Sequence, residues 1–310
     1  MLYFIVNEKS KSGNAKQIWK EIEEVLKVRN VSYQAFVSEY RGHAGKLAAE
    51  ICAMDDNDIC LVAVGGDGTA NEVINGITDF EKVRFGVIPT GSGNDLARGL
   101  SLSKDPKNGA IHILNAMKKS REDTWCMDLG EVNFGEKKRL FAISAGIGLD
   151  ALVCKKALKS TIKDILNKIR LGKLTYLGLT VQSLFTMQTA DAEIFFDREE
   201  GLQKKRMIFT AAMNFKAEGG GVPMAPAASA CDGKLSFCEA AGIPKWRTFL
   251  CLPFLVAAKH TSIHGFSVTD AKDCTIRLSR PMVVHADGEY CGEVTEVHFH
   301  CLPGKLRVLK

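Results

Sequence analysis

The chain has 310 residues, a length that suits two domains because single hydrophobic cores tend to stop growing at roughly 250 to 300 residues. Hydrophobic residues make up 46% of the sequence and charged residues 25%, which excludes a disordered or fibrous protein. The net charge of +5 is too small to indicate nucleic-acid binding, although it suits a protein that meets anionic ligands or anionic lipid.

Cysteine spacing and hydrophobic runs predict a cytoplasmic protein. The 10 cysteines are scattered singly without a CxxC pair, so we expect reduced thiols and neither disulfides nor zinc ligands. The apolar run at the start is too short for a signal peptide. The most apolar internal stretch, FLCLPFLVAA at 249–258, is about half as long as a membrane span and contains Pro253. We predict no transmembrane segment, which leaves contact with a membrane surface open.

From residue 2 to about 120, short β-rich runs alternate with helical patterns. The predicted strands are LYFIV, SYQAFV, DICLVAV and RFGVIP. Helices are predicted over 14–28 and 44–53, and another from residue 70. The last predicted helix of this region has Asp105 as its N-cap and Pro106 at its first position. Such alternation predicts parallel strands joined by crossover helices, and therefore an α/β domain over 1–123.

After residue 124, short strand-like segments separated by turns predict a mostly antiparallel, β-sandwich-like second domain over 124–295. A helical insertion is predicted over 155–188, where isoleucines share one face and lysines crowd the rest. The tail over 296–310 alternates like strands again, and we expect it to pack back on the sheet of the first domain.

Two glycine-rich turns each follow a predicted buried strand and open a helix: GGDGTANEVINGI at 65–77 and PTGSGNDLARGL at 89–100. Ligands of open α/β sheets bind beyond the carboxyl ends of the strands, so we expect both turns to form one site. Glycines at 65, 66 and 68 would let the backbone approach a phosphate, whereas Asp67 would repel it unless a cation lay between them. Thr69 and Asn71 either cap the helix or bind the ligand.

For one such turn alone, the alternative is an ordinary connection between a strand and a helix, because such connections also favour glycine, aspartate and threonine. Two turns at matched positions favour a binding site instead. The sequence contains no G-x-x-x-x-G-K-[ST], and no G-x-G-x-x-G follows the first strand. A common P-loop or Rossmann dinucleotide site is therefore not predicted.

The ordered set of motifs resembles the diacylglycerol-kinase catalytic-domain superfamily, specifically the bacterial soluble lipid kinases related to sphingosine and ceramide kinases. The motifs are the two glycine turns, NEKSKSGNA near the start, MDLGEV, NFKAEGGGVPMAPAASACDGKLSF, and DGE near the C-terminus. The first turn alone is shared with NAD kinases and, loosely, with phosphofructokinases. The resemblance implies an NAD-kinase/phosphofructokinase-like α/β domain with a parallel sheet, a β-sandwich-like lipid domain, and ATP held in the cleft between them.

By position, the resemblance also implies site residues. The implied nucleotide contacts are Asn7, Ser38, Gly65, Gly66, Asp67, Gly68, Thr69, Asn71, Ser92 and Asn94. Asp67 would partner the Mg²⁺ that accompanies ATP, Asp95 would support the acceptor side or the second turn, and Glu289 would be the general base. The plain alternative for ADGE is a solvated hairpin turn, because Asp-Gly is a common hairpin signal.

A second, structural Mg²⁺ is implied at Asp232 with the main-chain carbonyls of Ser229 and Lys234, and Asp128 would link to that network. An Asp-Gly turn without metal is the alternative. Three histidines, at 285, 298 and 300, lie on strand patterns without an acid or cysteine at ligand spacing, so we expect strand histidines and no further metal site.

We therefore predict an ATP-dependent lipid kinase that acts on diacylglycerol or a similar lipid alcohol, with Mg²⁺. The alternatives are a soluble-metabolite kinase of the NAD-kinase type and a non-catalytic nucleotide- or lipid-binding regulator. Basic residues around the isoleucine stripe of 155–173 predict peripheral contact with the anionic inner face of the membrane, against the alternative of a core-packed helix with a solvated basic face. No nucleic-acid partner is expected, and a homodimer is left open.

Overall fold

The computed structural model describes residues 1–10, 15–91, 93–159, 172–197 and 200–310. Several predictions lie outside these residues: Ser92, part of the KSKSG segment, and, in the insertion, Ile162, Lys163, Ile165, Lys168, Ile169 and Arg170. The chain forms two compact units, one of Met1–Leu129 with Pro303–Lys310 and one of Gly130–Leu302.

The first unit contains a parallel sheet in the order β4-β3-β1-β2. Its strands are β1 (Leu2–Val6), β2 (Tyr33–Val37), β3 (Ile59–Gly65) and β4 (Val83–Pro89). Every residue of β3 and β4 is buried, as expected for a parallel strand covered on both faces. The tail adds Arg307 and Val308 as a further parallel pairing beside β4.

Helices connect these strands and close the core of the first unit. They are α1 (Ala15–Val28), α2 (His43–Cys52), α3 (Asp67–Gly76), α4 (Asp95–Gly99) and α5 (Pro106–Ala116). The prediction for the start of α5 is confirmed, because the Asp105 side chain accepts a hydrogen bond from the Asn108 N–H at 2.9 Å and Pro106 follows it. The predicted start of α3 at residue 70 is wrong: the helix begins at Asp67, whose charge favours a helix N-terminus.

The second unit is a β-sandwich-like domain of antiparallel strands. Its main order is β12-β11-β10-β7-β13-β14, while β8 pairs with β13, β9 with β8, and β6 with β5. The strands are β5 (Trp125–Phe134), β6 (Lys137–Phe141), β7 (Ser144–Gly148), β8 (Ala190–Phe196), β9 (Leu202–Met207), β10 (Phe209–Met213), β11 (Leu235–Ala240), β12 (Phe266–Ala271), β13 (Asp273–Ala286) and β14 (Glu289–Val308). In its core the Phe237 ring lies 5.4 Å from Phe196 and 5.9 Å from Phe299. An α/β unit followed by an antiparallel β unit confirms the predicted fold class.

Three described α-helices belong to the second unit: α6 (Leu149–Lys159), α7 (Gly172–Thr186) and α8 (Lys245–Val256). Helix α6 begins before the predicted insertion over 155–188. In the predicted basic face, Lys155 Nζ donates to Glu293 Oε1 at 2.5 Å and Lys156 Nζ to Thr186 Oγ1 at 3.1 Å, so both lysines have protein partners. Among the helices described, none combines the length and apolar character that a bilayer span requires.

Candidate active site

The two glycine turns meet at the carboxyl edge of the parallel sheet. A Cβ added to Gly91 would lie 2.7 Å from the Gly66 Cα, and the Thr90 N–H donates to the Gly65 carbonyl at 2.8 Å. Backbones approach this closely only where side chains are absent, which explains the glycine at each position. The structure thus brings together the two turns that the sequence predicts to share a site.

Asp67 joins the first turn to the second. Its Oδ2 accepts a hydrogen bond from the Asp95 N–H at 3.0 Å, and its Oδ1 accepts one from the Leu96 N–H at 3.1 Å. Partial burial raises the pKa of Asp67, whereas the hydrogen bond from Leu96 and the charge of Arg98 oppose that rise. The carboxylate therefore pairs with two of the N–H groups at the start of α4.

Asn94 and Asp95 maintain the shape of the second turn. Asn94 has a left-handed backbone, with φ of 53°; its Oδ1 accepts from the Gly91 N–H at 2.9 Å and its Nδ2 donates to the Gly91 carbonyl at 2.8 Å. Buried Asp95 accepts a hydrogen bond from Arg98 Nη1, and Arg98 Nη2 donates to the Gly93 carbonyl at 2.9 Å. Of the two roles predicted for Asp95, this geometry matches support of the second turn.

Thr69 pairs with Asn7 and does not cap its helix. Asn7 Nδ2 donates to Thr69 Oγ1 at 3.0 Å, and the residue before α3, Gly66, has no side-chain cap. Of the two alternatives predicted for Thr69 and Asn71, capping the helix or binding the ligand, the contact with Asn7 argues against a cap at Thr69, and ligand binding stays a prediction. A Cβ at Gly65 would lie 2.5 Å from the Thr69 Cβ, so glycine at 65 makes room for this side chain. Thr69 thus links the ends of β1 and β3.

The remaining predicted nucleotide contacts lie on the same unit. Ser38 is buried directly after β2, and its N–H donates to the Val6 carbonyl at 2.8 Å. Asn71 is buried within α3, where its carbonyl accepts from Asn75 Nδ2 at 2.9 Å. The Ser10 hydroxyl bonds to the Thr90 hydroxyl, a contact between the first loop and the second turn. The sequence prediction did not select Thr90, although a hydroxyl residue directly after a buried strand was a usable signal.

In the second unit, the Asp287–Gly288 hairpin connects β13 to β14. Both residues have positive φ, 48° and 80°, as this two-residue turn requires. The Asp287 carboxylate accepts hydrogen bonds from the Ala142, Ile143 and Ser144 N–H groups at 2.8, 2.8 and 3.1 Å. The alternative of a merely solvated hairpin is therefore wrong for Asp287. Glu289, the predicted base, is half-buried at the first position of β14.

A polar cluster of one buried and two half-buried side chains lies behind this hairpin. His285 Nδ1 accepts from the Gly288 N–H at 3.2 Å, and its Nε2 lies 3.1 Å from Asp150 Oδ2. The Glu218 carboxylate accepts from the Ser144 hydroxyl, and one polar atom each of Asp150, Glu218 and His285 lies within 4.8 Å of the others. Such spacing suits a cation, but the hydrogen bonds indicate that the cluster fixes the hairpin.

The electrostatic environment of the cluster favours the protonated forms of Glu218 and His285. Burial raises the pKa of Glu218, and the Asp150 and Asp287 carboxylates raise it further, against the charge of His285. Burial alone would lower the pKa of His285, but its hydrogen bond to Asp150 and the nearby carboxylates raise it overall. The sequence prediction missed Asp150 and Glu218. Their segments, GIGLDA and KAEGGG, offered only one acid each and no spacing pattern.

The predicted structural Mg²⁺ residues lie on the turn before β11. Asp232 is exposed and its Oδ1 accepts from the Lys234 N–H at 3.1 Å, while Ser229 is half-buried. Mg²⁺ prefers oxygen donors such as a carboxylate and main-chain carbonyls, and the second ion at these residues stays a prediction. Asp128 Oδ1 accepts from the Gly304 N–H at 2.7 Å, which ties Asp128 to the tail, and its link to the Mg²⁺ network stays a prediction.

The other strand histidines do have an acidic partner. His298 Nε2 and His300 Nδ1 lie 3.2 and 2.7 Å from Asp273 Oδ1. Both histidines lie on β14, as predicted, and spacing along the chain did not reveal Asp273 because it is adjacent in the sheet and not in the sequence.

Comparison with known proteins identifies the family. Residues 1–127 match the family model described as diacylglycerol kinase catalytic domain, and residues 144–310 match the one described as YegS C-terminal NAD kinase beta sandwich-like domain. YtlR of Bacillus subtilis (strain 168), which carries the provisional name of a lipid kinase, is 30% identical over 311 residues, or 99% of this chain and 98% of that protein. This chain belongs to the diacylglycerol kinase-like lipid kinase family.

Other members of the diacylglycerol kinase-like family agree with this assignment. A protein of Bacillus subtilis (strain 168) named diacylglycerol kinase is 28% identical over 79% of this chain and 75% of its own length. A crystal structure from Bacillus anthracis str. Sterne, provisionally described as a diacylglycerol kinase, has a TM-score of 0.77 at 22% identity and covers 99% of this chain and 96% of its own. At 22% identity the crystal structure supports the fold of this chain, and the sequence relatives support its assignment as a kinase.

Proposed function

We propose that the protein transfers the γ-phosphoryl group of ATP to the hydroxyl of diacylglycerol or a similar lipid alcohol. One observation carries the proposal: within the segment matched as a diacylglycerol kinase catalytic domain, the Asp67 carboxylate binds the backbone of the second glycine turn. This bond fixes both turns around one acid. The names of the sequence relatives support the lipid acceptor.

On the nucleotide side, the first glycine turn supplies backbone N–H groups to the phosphates. Helix α3 begins at Asp67 directly after Gly65 and Gly66, so its free N–H groups offer an anion site. Asp67 itself would repel a phosphate. Each of its oxygens accepts one backbone hydrogen bond and keeps lone-pair capacity for a cation, so Asp67 fits the predicted Mg²⁺. Mg²⁺ would neutralise the charge that the phosphates carry in phosphoryl transfer.

On the acceptor side, Glu289 takes the proton of the lipid hydroxyl. Its position depends on the hairpin, which the three hydrogen bonds to Asp287 and the contact of Gly288 with His285 hold in place. A carboxylate is a weak base toward an alcohol, so Glu289 contributes by orienting the hydroxyl and accepting the proton late in the transfer.

The test is an acceptor panel. The protein is incubated with radiolabelled ATP and Mg²⁺ together with dioctanoylglycerol, ceramide, sphingosine or NAD, and the products are identified by mass spectrometry. We expect label in the phosphate ester of dioctanoylglycerol or a related lipid, and none when the Mg²⁺ is chelated. Phosphorylation of NAD alone would establish the soluble-metabolite alternative. Nucleotide binding without any product would establish the non-catalytic regulator.

A further inference from the structure

Helix α8 turns an apolar face to solvent. Its buried residues Thr248, Cys251 and Leu255 recur at helical spacing and face the core of the second unit. The opposite side would ordinarily be polar. It instead carries exposed large apolar side chains, with Trp246 61% and Leu250 57% exposed. The exposed apolar residues of the helix are Trp246, Phe249, Leu250, Phe254 and Val256.

The end of α7 extends this face. The exposed Phe185 ring lies 6.0 Å from the Phe249 ring. Lys245 Nζ donates to the Phe185 carbonyl at 3.3 Å and to the Met187 carbonyl, which joins the end of α7 to the start of α8. Phe185 and the five exposed residues of α8 are called the α8 surface below. A contiguous exposed patch of large apolar residues is uncommon on a monomer and marks a site of interaction.

The charged residues nearest to α8 in the sequence are basic. Residues 240–269 contain no aspartate or glutamate, whereas Lys245, Arg247 and Lys259 lie within or next to α8. The stretch 178–190, which includes the C-terminal part of α7, also lacks acids. Apolar side chains with basic residues beside them complement a bilayer with anionic headgroups, because the acyl region takes up the apolar side chains and the lipid phosphates attract the basic ones.

We propose that the α8 surface is the face with which the protein docks on an anionic lipid bilayer. Trp246 and its apolar neighbours enter the headgroup boundary, and the basic residues face lipid phosphates. This site differs from the basic segment over 155–173 that the sequence suggested. The proposal rests on the proposed function, since a kinase for diacylglycerol must reach a substrate that resides in a membrane.

Two leucines of similar exposure provide a matched test. Leu250 is 57% exposed on α8 and Leu202 is 50% exposed on β9. Binding is measured by flotation with vesicles of phosphatidylcholine that contain about one third phosphatidylglycerol. We expect Leu250→Glu to weaken binding by about tenfold or more, since an apolar contact is lost and a like charge is added, and Leu202→Glu to bind as the wild type does. Equal binding by wild type and Leu250→Glu would overturn the proposal.

Tryptophan fluorescence gives a second readout. The chain has 3 tryptophans, and Trp246 alone belongs to the α8 surface. We expect a blue shift of the emission when these vesicles are added. The shift should be absent in Trp246→Phe, which still floats with the vesicles. A blue shift that persists in Trp246→Phe would place the contact elsewhere and contradict the proposal.

A second copy of the chain is the competing occupant, and sedimentation velocity without lipid distinguishes it. A wild type that is monomeric at the concentration used for flotation supports docking on lipid. A dimer that Leu250→Glu dissociates would assign the α8 surface to self-association and overturn the proposal.

Kinase assays separate this inference from the proposed function. Leu250→Glu should keep wild-type activity on dioctanoylglycerol in solution and show a raised KM for vesicle-borne diacylglycerol. Equal losses on both substrates would mean that Leu250 supports the fold, and docking would be refuted. If the wild type binds vesicles but phosphorylates neither substrate, the proposed function fails while the docking surface stands.

Discussion

The turn around Asp67 and the hairpin around Asp287 use an aspartate in the same way. Each lies next to a glycine, and each carboxylate accepts backbone N–H groups from a different segment: two from the start of α4 for Asp67, and three from 142–144 for Asp287. The two sites differ in which residue has the proposed role in the reaction. Asp67 is itself the proposed partner of Mg²⁺, whereas in the hairpin the proposed base is a separate residue, Glu289.

This difference determines what mutagenesis reports in each unit. A substitution of Asp67 removes at the same time a structural contact and the negative charge that would bind the cation. In the hairpin, the structural acid and the reacting acid are changed independently. The four predictions below use this contrast, from the largest expected effect to the smallest.

Asp67→Ala should abolish turnover, because the phosphates lose their countercharge and the second turn loses the carboxylate that binds it. Loss of the two hydrogen bonds should also lower the free energy of unfolding by about 1.5–3 kcal/mol. Kinase assays and urea unfolding measure the two effects. Asp55→Ala, at an exposed position of the same unit, is the control and should change neither. A folded Asp67→Ala protein with near-wild-type activity would refute the role.

Glu289→Gln should lower kcat by about two to four powers of ten, because the side chain keeps its shape while the proton acceptor is lost. Glu296→Gln is the matched control on the same strand, where the side chain is exposed and pairs with Arg277. An unchanged kcat of Glu289→Gln on a lipid substrate would remove Glu289 from the mechanism.

Asp287→Asn should destabilise the second unit by about 2 kcal/mol, since the amide cannot accept all three N–H groups and carries no charge. Asparagine tolerates the left-handed backbone at this position, so the change isolates the hydrogen bonds. Urea unfolding is the measurement. Stability equal to that of the wild type would mean that the hairpin does not depend on Asp287.

Glu218→Gln should reduce the pH dependence of stability. The pKa values of Glu218 and His285 are raised above 4.5 and 6.5, so the folded protein holds protons that the unfolded chain has lost. The free energy of unfolding therefore falls as pH rises above 4.5, with His285 adding to the fall above 6.5. Urea unfolding between about pH 5 and pH 8 should show a smaller fall in Glu218→Gln. An identical slope would contradict the buried-proton account.

Local patterns in the sequence predicted much of the first unit. Alternating strands and helices indicated the parallel sheet, Asp105 and Pro106 indicated the start of α5, and two glycine turns after buried strands indicated where the site lies. The hydrogen bond between Asn7 and Thr69 escaped this reasoning because the two residues are 62 positions apart, and no local propensity encodes such a contact. The start of α3 was misplaced because glycines conceal the first turn of a helix.

The second unit was harder to predict because its important contacts join distant strands. Asp150, Glu218 and His285 come from three separate segments, and only the antiparallel pairing brings them together. The stretch 249–258, which covers most of α8, was considered only as a membrane span because of its apolar composition. Its exposed face became visible when the structure showed which side packs on the core.

Calorimetric titration with Mg²⁺-ATP tests the division of roles between the two acids most directly. Wild type, Asp67→Ala and Glu289→Gln are compared at the same pH and ionic strength. The account predicts that Asp67→Ala weakens nucleotide binding at least about tenfold, a loss of about 1.4 kcal/mol, while Glu289→Gln binds as the wild type does. Unchanged binding by Asp67→Ala, or a loss confined to Glu289→Gln, would contradict it.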